Sequence, residues 1–117
     1  MKTRSAKNKG KRLQREVQKL LFEATHKYGL QEGDIQNTIM GEAGRDIKLS
    51  PAAEKVIPFD IECKNQEKLN VWDALKQAQD NTKEGRIPLL IFRKNNAKTY
   101  AVIEFDKLIK LLYEWKE

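Results

Sequence analysis

The sequence predicts a single mixed α/β domain, and three observations lead to that prediction. Its 117 residues suit one compact domain built around one core. Apolar residues recur at helical spacing in three segments, and short runs of strand-like character lie between them. In chain order these segments predict a helix, three strands, a helix, two strands and a final helix, with no internal repeat.

The N-terminal segment combines a basic arm with an amphipathic helix. The first twelve residues, MKTRSAKNKGKR, include six Lys or Arg and almost nothing apolar, so residues 1–10 are expected to form a flexible arm ahead of a domain over 11–117. A solvated tail without a task is an equally good interpretation. From Leu13 the apolar residues follow helical spacing and Gly29 supplies a stop, which predicts a helix over about 11–28.

Two short strand signals follow that helix. DIQNTIM (34–40) is weakly strand-like, and in RDIKLS (45–50) apolar and charged residues alternate. The alternation places Asp46 and Lys48 on the face away from the core. SPAAEK (50–55) is predicted to be a loop.

The third strand signal, VIPFDIECK (56–64), is the strongest of the three. Its alternation turns Cys63 towards the core and places Glu62 and Lys64 on the opposite face, together with Asp60. Cys63 is the one cysteine of the chain and is interpreted as a small buried hydrophobe, because no base for a thiolate is visible. With His26 as the one histidine, neither a disulfide nor a zinc site can form within the chain, so any metal must be a hard ion held by oxygens.

The C-terminal half begins with a helix. LNVWDALKQAQDNT (69–82) predicts this helix, with Asn70 as its cap and an end by Gly85. The residues predicted to face inward are Val71, Trp72, Leu75 and Ala78.

A hairpin and a final helix complete the predicted domain. IPLLIFR (87–93) is a continuous apolar run, typical of a central strand, and the chain turns through KNNAK to return as TYAVIEF in a hairpin. Asp106 is expected to cap the last helix, LIKLLYEW, whose apolar residues suit either the chain's own core or a dimer face.

Charge narrows the classes of partner. A formal charge of +6 and a pI near 9.4 favour polyanions, with nucleic acid first, although general basic character is the plain alternative. No signal-peptide pattern and no apolar run of membrane-spanning length is present, so we expect a cytoplasmic protein without a membrane partner.

One constellation of residues suggests chemistry. Glu62 and Lys64 project from the same face about 7 Å apart along the strand, and Asp46 can lie opposite them if the second and third strands pair antiparallel. Two carboxylates there suit Mg²⁺ or Mn²⁺, with the Cys63 carbonyl as a further ligand. Lys64 could orient an attacking water and offset charge in a phosphodiester transition state. Alone, an E-x-K triplet is common on solvated strand faces.

GRD at 44–46 and IECK at 61–64 resemble the two motifs of the PD-(D/E)XK nuclease superfamily, over about residues 9–105. The chain is most similar to Holliday junction resolvase-like members and small phage endonucleases, through KGKRLQREVQKLL and EGRIPLLIFRKN. The resemblance implies a restriction-endonuclease-like αβββαβ core with a mixed central sheet, plus an extra C-terminal strand and helix. Arg45 stands where the commonest superfamily pattern has proline.

The same resemblance implies roles for particular residues. Asp46 and Glu62 would be metal ligands and Lys64 the catalytic lysine, while Glu16 matches the helix-one glutamate that completes the acidic set. The alternative for Glu16 is a surface pair with Lys19 or Arg12. Gln77 is preferred over Gln79 as the glutamine that many branches carry on the helix after E-x-K.

The implied activity is that of a Mg²⁺-dependent endodeoxyribonuclease without a nucleotide cofactor, acting on branched or duplex DNA as a resolvase or nicking enzyme. A homodimer would place two sites on two strands. A non-catalytic basic DNA-binding protein on a nuclease fold is the alternative function. The residues expected to contact DNA are Lys9, Lys11, Arg12, Arg15, Arg45, Lys48 and Ser50.

Overall fold

A computed structural model describes residues 4–38 and 45–115 of the chain, with side chains from Lys7 onward. Its helices and strands are α1 (Arg4–Thr25), β1 (Ile35–Asn37), β2 (Ile47–Leu49), α2 (Pro51–Val56), β3 (Phe59–Asn65), α3 (Val71–Asp80), β4 (Ile87–Arg93), β5 (Tyr100–Ile103) and α4 (Phe105–Trp115). This arrangement confirms the predicted mixed α/β fold.

The strands form a mixed three-stranded sheet and a separate two-stranded ribbon. In the sheet, β4 lies between a parallel β3 and an antiparallel β5, which confirms the predicted central strand and hairpin. The ribbon pairs β1 with β2 antiparallel. It meets β3 where the Asp46 amide donates to the Ile61 carbonyl at 3.1 Å.

Both faces of the three-stranded sheet are covered along β3. On one face α1 packs against it, and the core there includes Leu13, Val17, Ile61 and Cys63. On the other face lies α3, which buries the small residues Ala74 and Ala78. Polar side chains on β3 are therefore held between layers instead of standing in solvent.

The first helix begins earlier than the sequence suggested. It starts at Arg4, so residues 4–10 of the predicted arm form its first turns, whereas residues 1–3 lie outside the described range. Lys, Arg and Ala are good helix formers, and Gly10 alone does not interrupt them. The end was predicted well, because a 3-10 turn over His26–Tyr28 follows α1 and Gly29 closes it at φ +92°.

The segment predicted as the loop SPAAEK is instead the short helix α2. Ser50 is its N-cap and accepts a hydrogen bond from the Ala53 amide at 3.1 Å, while Pro51 takes the first helical position. A serine followed by proline is a helix-start signal, since proline's fixed φ suits that position and its missing N–H is not needed there. The predicted strand over 34–40 is described only as far as Thr38.

Two details of the later helices were also wrong. Trp72 is 82% exposed, because the inward stripe of α3 follows Ala74 and Ala78 and leaves position 72 outside it. Asp106 is not the cap of α4 but lies in its first turn, after Glu104, whose carbonyl accepts the first helical amides. None of the described helices is long and apolar enough to cross a membrane.

Candidate functional site

The candidate site lies at the edge of β3 that does not pair with β4. There the side chain of Asp46 accepts a backbone hydrogen bond that a neighbouring strand would otherwise accept. The Cys63 amide donates to Oδ2 of Asp46 at 2.6 Å, beside the backbone bond between Asp46 and Ile61. In a strand, the amide and carbonyl of one residue point to the same edge, so the Cys63 carbonyl also points towards Asp46. The Asp46 carboxylate is thereby fixed against the E-x-K motif.

Glu62 and Lys64 lie on the face of β3 that α3 covers. Glu62 is 3% exposed; its Oε2 lies 3.8 Å from the Lys64 ammonium, and its Oε1 accepts a hydrogen bond from the Asn81 amide at 3.3 Å. Asp46 touches the residue between these two. The structure thus brings three of the predicted site residues, Asp46, Glu62 and Lys64, to one stretch of strand.

Cys63 itself is buried, as the sequence predicted. Burial raises the pKa of its thiol, and the neighbouring charges of Asp46 and Glu62 raise it further. The thiol therefore stays protonated at neutral pH and is not a nucleophile. Its contribution to the site comes through its backbone groups.

The available donors suit a hard metal ion. The two carboxylates of Asp46 and Glu62 and the carbonyl of Cys63 are all oxygen ligands, the type that Mg²⁺ and Mn²⁺ prefer. Within the described residues no group of three or more His, Cys, Asp or Glu side chains could hold a metal. Two carboxylates are nevertheless in keeping with Mg²⁺, which usually retains several waters and takes one or two protein carboxylates.

Glu16, the fourth predicted acid, has a different partner in the structure. Its carboxylate forms a two-point ion pair with the guanidinium of Arg93, and its side chain is 47% exposed. The hydrogen bond from Arg93 lowers the pKa of Glu16. Arg93 is aligned with Asn65 and shares the α1 face, whereas Glu62 faces α3, so the structure does not bring Glu16 beside Glu62.

The side-chain amide that contacts the E-x-K motif belongs to Asn81, a residue that the sequence prediction did not include. Gln77 and Gln79 are both exposed on α3, while Asn81, which follows the helix, donates to Glu62. Asn81 lies three residues after Ala78, which was predicted to face inward, so its position was a readable signal. The prediction considered glutamine alone as the residue type.

An ion cluster around the buried Asp60 adjoins the site, and Arg45 is one of its members. We call the set Asp60, Arg45, Arg86 and Glu54 the Asp60 cluster. Arg45 contacts Asp60 at 2.7 Å and Glu54 at 3.0 Å, and Arg86 contacts Asp60 at 2.6 Å. Arg86 also donates to the carbonyls of Glu54, Ile57 and Phe59. Arg45 therefore ties the chain before Asp46 to β3.

The other residues predicted to contact DNA differ in their exposure. Ser50 has an internal partner, because it donates to Asp34 at 2.6 Å besides capping α2. Lys9 pairs with Glu67 at 3.1 Å, and its carbonyl accepts from the Asn65 side chain. The exposed cations are Lys11, Arg12, Arg15 and Lys48.

The bond between Lys9 and Asn65 fixes where the basic part of α1 lies. It joins the first turns of the helix to the residue that directly follows Lys64 on β3, at a distance of 3.0 Å. The exposed cations of those turns therefore lie at the end of the strand that carries the E-x-K lysine.

One comparison with known proteins gives a match. The profile of a family described as "Phage putative PDDEXK endonuclease" matches residues 5–117. No curated protein and no solved structure matches the chain. The matched range contains all three residues gathered on β3 and extends through α4.

Proposed function

Because the chain belongs to the phage PDDEXK endonuclease family, we propose that it is a metal-dependent endonuclease that hydrolyses phosphodiester bonds of DNA at Asp46, Glu62 and Lys64. The observation that supports this most strongly is the hydrogen bond from the Cys63 amide to Asp46. It holds the first acidic residue beside the two charged residues of E-x-K, an arrangement that a general DNA-binding surface does not need.

Each residue of the site has a chemical task. Asp46, Glu62 and the Cys63 carbonyl would hold Mg²⁺ or Mn²⁺, and such an ion would supply Lewis-acid polarisation of the phosphate and lower the pKa of water. Lys64 offers positive charge and a hydrogen-bond donor to the phosphate oxygens as negative charge builds up on them. The nearby Glu62 carboxylate keeps that ammonium at the strand.

The substrate we propose is recognised by structure instead of sequence. The cations exposed on α1 meet phosphates, and phosphate contacts supply affinity without reading bases. A site on a small domain of this kind suits branched, flapped or nicked DNA, as in resolvase-like or nicking enzymes. In an infected cell that DNA is in the host cytoplasm, where we place the protein.

A homodimer is part of the proposal. In the single chain α4 exposes the apolar residues Phe105, Leu108, Ile109, Leu112 and Trp115. An exposed apolar patch of this kind often marks an interface with another protein. A second copy related by a two-fold axis would cover this face and present two sites to two strands. Sedimentation should show a dimer that Leu112→Glu dissociates and Lys110→Glu does not; a monomeric wild type would refute the dimer.

The nuclease proposal is tested by cleavage of labelled DNA. Four-way junction, flap, single-stranded and duplex substrates are incubated with Mg²⁺ or Mn²⁺ and with EDTA. We expect metal-dependent cleavage that Glu62→Gln and Lys64→Ala slow by about a hundredfold or more, whereas the exposed-site controls Glu23→Gln and Lys55→Ala retain the wild-type rate. Cleavage at the wild-type rate by both site variants would refute the assignment.

The division of labour between Asp46 and Lys64 is tested separately. Asp46→Asn keeps an oxygen that can accept the Cys63 amide, so the fold should persist while metal affinity falls. Lys64→Ala should leave metal affinity near normal and slow the chemical step by about a hundredfold or more. Metal titrations of cleavage rate separate the two effects, and an equal loss of metal affinity in both variants would contradict the division.

A further inference from the structure

A row of three side chains runs across the sheet from the candidate site. Lys64 on β3 is aligned with Phe92 on β4, and Phe92 is aligned with Tyr100 on β5. Aligned residues share a face, and neighbouring strands are about 5 Å apart, so the two aromatic rings follow the lysine in steps of that size. The rings are tilted at 33° with centroids 6.2 Å apart.

A cavity of about 240 Å³ opens beside this row, between the start of α3 and the β4–β5 turn. Its walls are mainly apolar or aromatic, and two exposed lysines come from the turn. Its aromatic lining residues are Phe92 and Tyr100, and its charged lining residues are the cations Arg93, Lys94 and Lys98 and the acid Glu67. Tyr100 is 58% exposed, so a ligand can reach it.

The turn that borders the cavity is anchored to the end of β3. One oxygen of Glu67 accepts hydrogen bonds from the Asn95 amide at 2.7 Å and from the Lys9 ammonium at 3.1 Å. These bonds tie the turn, the segment after β3 and the first helix together. The segments that border the cavity are therefore held in place by hydrogen bonds. The cavity lies next to the row of side chains that starts at Lys64.

We propose that this cavity binds an unpaired nucleobase of the DNA strand whose phosphate lies at Lys64, an inference that rests on the proposed nuclease function. Aromatic side chains stack on the face of any base, and lysines beside them meet the backbone phosphates. A base inside a continuous duplex is already stacked on both sides. The preferred substrate therefore carries a single-stranded or unstacked nucleotide beside the cut.

Binding measurements without metal test the base site. A fluorescein-labelled single-stranded oligonucleotide and a blunt duplex are titrated in EDTA, and anisotropy gives Kd for each. Tyr100→Ala should weaken single-stranded binding about tenfold and duplex binding much less, while Tyr100→Phe keeps the ring and the affinity. Tyr28→Ala, at a tyrosine 63% exposed beside Lys27, is the matched control and should bind as wild type.

The charged rim gives a second readout. Lys98→Ala should weaken binding at low salt and reduce the slope of log Kd against log salt by about one. Wild-type single-stranded affinity in Tyr100→Ala, or equal weakening of single-stranded and duplex binding, overturns the base site.

The two proposals fail in different ways. Cleavage by the wild type together with unchanged binding by Tyr100→Ala overturns the base site alone. A tenfold loss of binding in Tyr100→Ala, with no cleavage of any substrate by the wild type, supports the base site and overturns the endonuclease proposal.

Discussion

Asp60→Asn removes the negative charge at the centre of the Asp60 cluster and should be among the most destabilising isosteric changes in the domain. Asp60 is 2% exposed and accepts from Arg45, Arg86 and the Lys83 amide. Breaking a buried ion pair by removing one partner costs about 3–5 kcal/mol. The carbonyls that Arg86 still meets, together with Glu54, favour the lower end, about 3 kcal/mol.

Urea unfolding at neutral pH measures this change as a shift of midpoint at constant slope. A loss of about 3 kcal/mol corresponds to a melting temperature lower by roughly 12 °C for a domain of this size. Asp80→Asn is the matched control, because Asp80 is exposed at the end of α3, where a negative charge is unfavourable, and its loss should change little. A loss below about 1 kcal/mol for Asp60→Asn would show that the cluster does not hold the fold.

The same variant should change the response to acid. Burial alone would raise the pKa of Asp60, but hydrogen bonds from Arg86, the Lys83 amide and Arg45 outweigh it and lower that pKa in the folded state. A lowered carboxyl pKa stabilises the fold above the unfolded pKa, and this stabilisation disappears as pH falls through the folded value. The difference between wild type and Asp60→Asn should therefore shrink below about pH 4.

Three further changes probe other contacts. Asn81→Ala removes the amide that donates to the motif glutamate and should lower metal affinity about tenfold, measured by metal titration of cleavage, with a small effect on stability. Ser50→Ala removes the cap of α2 and should cost about 1 kcal/mol in urea unfolding. Glu16→Gln breaks a half-exposed pair with Arg93 and should cost less than about 1 kcal/mol in the same assay.

Controls and contrary results differ for each change. Gln79→Ala, on the exposed side of α3, should leave metal dependence unchanged, and equal losses in both variants would remove the special role of Asn81. A neutral Ser50→Ala would mean that α2 does not depend on its cap. A large loss of metal affinity in Glu16→Gln would restore Glu16 to the metal site that the family resemblance implied.

Sequence periodicity predicted the elements that bury a continuous apolar face. The strands β3 and β4, the α3 cap at Asn70 and the hairpin all appear as predicted, because alternation and turn residues are local signals. Trp72 shows the limit of that approach, since its apolar character suggested burial while its position on the helix decided against it. The small residue Ala74 occupies the inward position instead.

The candidate site was predictable only where its residues are close in sequence or marked by a motif. Glu62 and Lys64 are two residues apart, and Asp46 lies in the segment GRD that resembles a superfamily motif, so the sequence named these three residues, which the structure places close together. Partners set by tertiary packing could not be read from the chain: Arg93 is 77 positions from Glu16. The Asp60 cluster likewise joins residues from separate segments of the chain, so a local sequence pattern could not predict its contacts.

The hydrogen bond from Cys63 to Asp46 makes one backbone amide a spectroscopic reporter of the site. An amide that donates to a carboxylate responds to changes around that carboxylate, because the strength of the hydrogen bond affects the chemical shift of the amide. The nitrogen-15 and proton shifts of the Cys63 amide should therefore change when a cation is added that binds at Asp46, without a substrate and without turnover. A single resonance would then follow each stage of site assembly in the intact protein.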